Sequence, residues 1–281
     1  ILVNKILILG ASGFIGNMLY KELLPYFDVY GTYHSLNLEF DDNKIMFQFN
    51  MESDDINSIL NKVKPNYIIS SLRGEFENQL KVHQELLNYT LATIDCKLIY
   101  ISTVHVFDAK GKFPAYENDS LLANSEYGKY KANQEKAISK LPSSKYVIVR
   151  LPLVLGVNSP RIIQLKEASK NKTEFEVYPN LIISASTAHK IAQQVHYIIN
   201  KDLSGFYHLS SNDMIHHSEL FEEISNKLEL KNVIFKNIYT SNEDKYLAIL
   251  PKYNKLPENY QITISQIIEN CVLKKEIDSL K

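Results

Sequence analysis

The chain has 281 residues, 45% of them hydrophobic and 22% charged, with 31 Lys and Arg against 32 Asp and Glu. This is a core-forming composition with a formal net charge of −1, which excludes a disordered chain and lacks the basic footprint of a nucleic-acid binder. The longest apolar run, residues 146–155, is broken by Arg150 and falls far short of the ~20 residues a membrane span needs. Two cysteines, Cys96 and Cys271, are too few for a disulfide framework or a cysteine zinc site, and both read as structural. No metal, nucleic-acid or membrane partner is expected.

The opening residues lack a basic leader and a cleavage motif, so Lys5–Leu9 reads as a strand and the cytoplasm as the expected compartment. Phe14–Leu24 has apolar residues at helical spacing. Val29–Thr32 and Ile45–Phe49 read as strands, and Ile56–Val63 as a helix that stops before Pro65. Tyr67–Ser71 is a strand, Glu75–Leu91 a long helix, and Lys97–Thr103 another buried strand. Tyr127–Leu141 is a helix and Lys145–Arg150 a strand. Strands that alternate with helices predict an α/β fold with a doubly wound parallel sheet covered on both faces. Beyond Arg150 the pattern loosens. Ser186–Ile199 and Ser218–Leu228 look helical, and Val233–Tyr239 extended.

Residues 10–16 read Gly-Ala-Ser-Gly-Phe-Ile-Gly, directly after the first strand and at the start of a helix. Gly10 permits a tight turn. Gly13 lets backbone approach a pyrophosphate, and Gly16 lets the helix pack closely on the strand. The helix N-terminus then offers free N–H groups to phosphate, with Ser12, Phe14 and Ile15 in the same loop. The fold expected is therefore Rossmann-type. Residues 1–155 form a dinucleotide-binding domain to which later segments return, and residues 156–281 a smaller α/β substrate lobe.

The Gly-x-x-Gly-x-x-Gly spacing resembles the extended short-chain dehydrogenase/reductase superfamily. No carboxylate ends the second strand, where an NAD-selective site usually has one; Tyr33 or His34 stands there instead. His34 and Ser35 are candidate donors to a 2′-phosphate, so NADP is expected, with NAD as the alternative. Asn50 and Met51 fall where the superfamily contacts adenine, and Ser71 and Leu72 where it lines the nicotinamide half.

Tyr127 and Lys131 form a Tyr-x-x-x-Lys pair, one turn apart on one helix face. A free tyrosine has a pKa of about 10, and a neighbouring ammonium is expected to lower it toward useful acid–base chemistry. Tyr127 can then give a proton to a carbonyl oxygen as hydride arrives at carbon. In the superfamily a hydroxyl at the end of the preceding strand completes the triad, and Thr103 occupies that place. The resemblance also assigns Lys131 a hydrogen bond to the nicotinamide ribose.

Three stretches narrow the resemblance: Ile101, Ser102, Thr103, Val106, Phe107 and Asp108; then Tyr116, Glu117 and Asp119; then Tyr127, Gly128, Lys131 and Glu135. Together they resemble the dTDP-4-dehydrorhamnose reductase and sugar-nucleotide-binding branch. That branch implies NADPH-dependent reduction of a 4-keto nucleotide sugar for deoxysugar or surface-polysaccharide synthesis, and a homodimer paired through Leu80–Leu91. Val104 and His105 replace the branch's usual Asp-Tyr, and Tyr130 replaces a Ser. Ser70-Ser71-Leu72-Arg73 replaces a strand end of small residues. His105 is therefore a candidate substrate contact, and Arg73 and Arg161 are candidate anchors for the substrate's diphosphate. The alternatives are a non-catalytic dinucleotide-binding regulatory subunit and an epimerase or dehydratase. His216 and His217 read as capping residues before a helix, and His208 as a packed side chain.

Overall fold

The computed structural model describes residues 4–35 and 45–273. In chain order the elements are β1 (Lys5–Leu9), α1 (Phe14–Leu23), β2 (Asp28–Tyr33), β3 (Met46–Gln48), α2 (Ile56–Val63), β4 (Tyr67–Ser70), α3 (Phe76–Ala92), β5 (Lys97–Thr103), α4 (Glu126–Ile138) and β6 (Tyr146–Leu151). There follow β7 (Leu153–Leu155), α5 (Pro160–Asn171), β8 (Glu174–Val177), β9 (Leu181–Ile183), β10 (Ala185–Thr187), α6 (Ala188–Asn200), β11 (Gly205–His208), β12 (Ile215–His216), α7 (His217–Lys227), β13 (Ile234–Asn237), β14 (Lys245–Leu247) and α8 (Ile264–Cys271).

Seven strands form one sheet in the order β11-β6-β5-β4-β1-β2-β3, and every pair is parallel. The near-continuous apolar runs of β1, β4, β5 and β6 suit strands covered on both faces. One face carries the core of α1 and α6, in which Leu19, Leu23, Ile191 and Val195 pack against Ile6, Ile8 and Val147. The opposite face carries α2, α3 and α4, through Leu60, Val63, Leu86 and Ile138. Thus α6 and β11, late in sequence, belong to the sheet. Strand order reverses between β1 and β4, and in open α/β sheets the crevice at the carboxyl ends beside such a reversal takes ligands.

The lobe has its own core around Leu165, Phe175, Leu220, Phe221 and Ile267. Its strands are fragments: β10 with β7, β13 with β8, and β12-β9-β14. The weakly periodic, charge-rich α5 is absent from the sequence expectation. By contrast α8, with Thr263 and Gln266 in a capping box at its start, is the late helical stretch expected around Cys271. A buried polar network ties lobe to sheet. The Glu117 carboxylate, 3% exposed, accepts the backbone N–H groups of Lys252, Tyr253 and Asn254 at 3.1–3.3 Å. Arg150 bonds Glu135 (Nη2 to Oε2, 2.8 Å), the Glu117 carbonyl (3.0 Å) and His208 Nε2 (3.2 Å).

Candidate active site

A cavity of about 710 Å³ opens at the carboxyl ends of the sheet, under the lobe. Its sheet side begins with the glycine loop. Gly10 has φ +80°, and a Cβ there would stand 2.9 Å from the Ser71 carbonyl oxygen. A Cβ on Gly16 would stand 2.1 Å from the Gly10 carbonyl oxygen, so no side chain fits where α1 meets the turn. The loop is pinned to β2: Gly10 N–H donates to Thr32 Oγ1 at 2.9 Å and Ala11 N–H to the Thr32 carbonyl at 2.8 Å. Gly13 is the N-cap of α1; no side chain caps it and no acid stands in the first turn. The donors at this N-terminus therefore face no competing carboxylate on the helix, and the cradle fits a dinucleotide pyrophosphate.

Of the residues expected from sequence, Gly10, Ser12, Gly13, Phe14, Ile15, His34, Met51, Ser71 and Leu72 line the cavity on this side. Gly16, Ser35 and Asn50 do not. Gly16 acts through packing, and the Asn50 side chain instead accepts the Glu52 N–H at 3.0 Å within its own turn. Thr32, which sequence reasoning passed over, both lines the cavity and holds the loop.

The reacting end is built by β5 and α4. Thr103 ends β5 and is buried; its Oγ1 accepts the His105 N–H at 3.3 Å, which caps the short turn 104–107. Ser125 caps α4 by accepting the Gly128 N–H at 3.0 Å, and Asp108 in turn takes the Ser125 hydroxyl and the Asn124 N–H. A Cβ on Gly128 would lie 2.3 Å from the His105 carbonyl oxygen, so this glycine lets α4 seat against the turn. Tyr127 therefore stands in the first turn of α4, with Lys131 one turn on.

Lys131 is buried, donates to the Ile101 carbonyl at 2.9 Å and lies 4.6 Å from the Tyr100 ring centroid. Burial pushes its pKa down to about 8; Glu135 raises it and Arg73 lowers it further. Burial holds the Tyr127 phenol above its ordinary range, against a hydrogen bond from Thr103 and the charge of Arg73, which both lower it. The Lys131 Nζ stands 6.0 Å over the Tyr127 ring centroid, and Arg73, which sequence reasoning did not connect with this phenol, is a second cation acting on it. His105 packs edge-on against Tyr127, ring centroids 5.7 Å apart.

The lobe supplies the far wall with Arg161, Tyr178 and His217. Arg161 lies 4.0 Å over the Phe175 ring and donates to the Glu176 carbonyl. His217 Nδ1 accepts the Tyr178 N–H at 3.3 Å, and burial pushes its pKa down to about 4, with Arg161 acting the same way. The capping role expected of the two histidines is corrected: His216 is the N-cap of α7 without a side-chain cap bond, and His217 faces the cavity. Two neighbouring histidines carry no sequence signal for that difference. Arg73 and Arg161 line opposite walls of the same cavity, and His208 is buried behind it on Arg150 and the Leu250 carbonyl. Among the described residues no group of three or more His, Cys, Asp or Glu could hold a metal ion, and no helix is long and apolar enough to cross a membrane.

A family model described as RmlD substrate binding domain matches residues 79–273. The dTDP-4-dehydrorhamnose reductase of Aggregatibacter actinomycetemcomitans is 25% identical over 285 residues, covering 94% of this chain and 92% of that protein. Among solved structures, dTDP-4-dehydrorhamnose reductase from Bacillus anthracis, in complex with NADP, superposes with a TM-score of 0.72 at 22% identity, covering 95% of this chain and 98% of that one. The dTDP-glucose 4,6-dehydratase of the same organism, in complex with NAD, superposes with a TM-score of 0.79 at 16% identity, covering 96% and 95%. The two structures share the fold with this chain.

Proposed function

The chain belongs to the RmlD substrate binding domain family, and from that premise we propose that it is an NADPH-dependent reductase of a 4-keto nucleotide sugar. The observation that carries the proposal is convergence: the glycine cradle, Thr103, Tyr127 and Lys131 all face one cavity. NADPH, when bound, supplies hydride to the carbonyl carbon. Gly10, Gly13 and the first turn of α1 would hold its pyrophosphate, and His34 its 2′-phosphate.

The protein's own part is positional and acid–base. Thr103 Oγ1 uses a lone pair on the His105 N–H, and its O–H, bonded to the Tyr127 phenol, is the donor that a substrate oxygen beside Tyr127 would take over. Tyr127 then gives its proton to that oxygen as negative charge develops. A phenol held above its ordinary pKa is fully protonated at neutral pH, the state a reduction needs. Lys131, titrating near 8, keeps most of its charge at pH 7, and its Nζ has donors left after the Ile101 bond to reach a ribose hydroxyl.

A dehydratase needs an acid and a base for the elimination beside the carbonyl. No Asp or Glu lines the cavity among the described residues, which favours the reductase. The test is Tyr127→Phe. NADPH oxidation with a 4-keto nucleotide sugar should fall by about 10²–10⁴-fold, the usual value of one general acid, with NADPH affinity unchanged. Full turnover in that variant removes the acid assignment. Tight NADPH binding by the wild type without turnover on any such sugar would instead favour a regulatory subunit.

A further inference from the structure

We infer that the substrate is a nucleotide-linked sugar that carries a carboxylate beside the reacting carbon, and that Arg73 is its receptor. The inference rests on the reductase reading above and narrows the substrate class of the same site. It begins with the charge of the cavity wall. Among the described residues the lining holds Arg73, Lys131 and Arg161 and the histidines His34, His105 and His217, with no carboxylate at all.

The anions already expected in the cavity leave one cation over. The α1 N-terminus and His34 lie on the cofactor side, where the dinucleotide's phosphates would sit. Arg161 lies on the lobe wall, stacked on Phe175, where a substrate diphosphate can reach it. Lys131 is buried and bonded to the Ile101 carbonyl. Arg73 is exposed on the loop after β4, and its guanidinium has no hydrogen bond or ion pair among the described residues. Yet it lines the same cavity as Thr103, Tyr127 and Lys131, on the loop after β4, the strand that pairs with the β5 carrying Thr103, and its charge acts on Tyr127 and Lys131.

Glu135, behind the lining, already offsets the charge of Lys131, whereas no carboxylate among the described lining residues faces Arg73. A neutral deoxysugar supplies none there. A sugar carboxylate next to the reacting carbon would, and a guanidinium can take it through two parallel N–H donors. His105 adds a neutral neighbour: burial lowers its pKa, and the nearby Asp108, 3.9 Å from Nδ1, is engaged by Ser125 and Asn124. The loop residue that departs from the family pattern is thus the one that would select the substrate.

The test is equilibrium binding of dTDP-glucuronate and dTDP-glucose to the full chain with NADP bound. The wild type should bind the uronate at least ~10-fold more tightly, the factor one charge-assisted hydrogen bond supplies. Arg73→Gln should abolish that preference while NADPH affinity stays the same, and Arg73→Lys should restore part of it. Because Arg73 is exposed, both variants should fold, which circular dichroism checks. Equal binding of the two sugars by the wild type overturns the inference alone. A loss of NADPH affinity in Arg73→Gln overturns it too, by making Arg73 a cofactor contact. Binding of neither sugar, with NADPH still held, overturns the nucleotide-sugar reading and the inference together.

Discussion

The sheet side of the cavity rests on β1, β2, β4 and β5, joined by unbroken parallel ladders and buried on both faces. The lobe side rests on β7, β9 and β14, three residues each, in two separate small sheets. On the sheet side, side-chain positions follow from backbone hydrogen bonds: Gly10 to Thr32, Ser71 to Leu9, Lys131 to Ile101. On the lobe side stacking joins single backbone bonds: Arg161 lies over Phe175 and donates to the Glu176 carbonyl, and His217 is edge-on to Tyr178 at 5.1 Å and accepts its N–H. The residues proposed for proton and hydride transfer sit at the ends of the ladders. The wall proposed to meet the substrate sits on fragments, where substitutions disturb fewer shared hydrogen bonds. The difference can be broken experimentally at either wall.

The largest effect is expected behind the sheet wall. Glu135 is 1% exposed and Arg150 2%, joined at 2.8 Å, with the Ser102 hydroxyl on the same carboxylate. Glu135→Ala strands a buried guanidinium, and the expected loss is about 3–5 kcal/mol in urea unfolding. A loss below ~1 kcal/mol would mean that the network relaxes, and that the sheet wall is no stiffer than the lobe. Removing Glu135 also withdraws the charge that raises the Lys131 pKa, so any residual activity should lose its alkaline side at lower pH.

Acid should separate the walls next. Burial pushes His83 and His208, both on the sheet side, down to about 3, whereas unfolded histidine titrates near 6.5. Between those values the unfolded chain binds protons that the folded chain refuses, so stability falls as pH drops from about 6.5 toward 3. Each histidine contributes a slope of about 1.4 kcal/mol per pH unit. His83→Gln should flatten the urea-midpoint profile by that amount below pH 6. An unchanged profile would show that His83 takes up its proton without unfolding. On the lobe side His217, held down to about 4, acts in the same direction over a narrower window.

Arg161→Ala tests the lobe wall directly. KM for the nucleotide sugar should rise about 10-fold with kcat nearly unchanged, the signature of lost ground-state binding. NADPH affinity should not move. A parallel fall in kcat would place Arg161 in transition-state contact and erase the division of labour between the walls.

How much of this was legible in the sequence follows the same division. The glycine spacing, the buried strands and the Tyr127–Lys131 turn are local: their geometry is set within a few residues, so position in the chain predicts position in space. Leu80 and Leu91, the residues bounding the helix segment expected to pair two subunits, are exposed on α3, as any unpaired helix face would be. What the sequence hid is made by long-range contact. Arg73 acts on Tyr127 across 54 positions of chain, and His217 reaches Tyr178 across 39. Gly128 reads as motif filler until its contact with the His105 carbonyl is measured. Apart from β13, which falls inside the expected extended segment 233–239, the lobe strands are four residues or fewer and absent from the sequence expectation, and pairing partners lie up to 64 residues apart, as Lys245 with Leu181.

The smallest effect concerns the edge of the sheet wall, where β2 runs out into solvent. His34 is exposed, and its Nδ1 stands 3.5 Å from Ser35 Oγ. A 2′-phosphate there would meet an imidazole and a hydroxyl in a well-hydrated setting, where one exposed polar contact contributes about 0.5–1 kcal/mol. NADPH should therefore bind only ~2–5-fold more tightly than NADH through this residue, and His34→Ala should remove that margin without touching NADH. Raising salt should shrink the wild-type preference as well, since exposed charge contacts are screened over about 8–10 Å. A preference that survives both the substitution and high salt would have to come from donors other than His34. Tighter binding of NADH by the wild type would end the argument from the missing strand-end carboxylate.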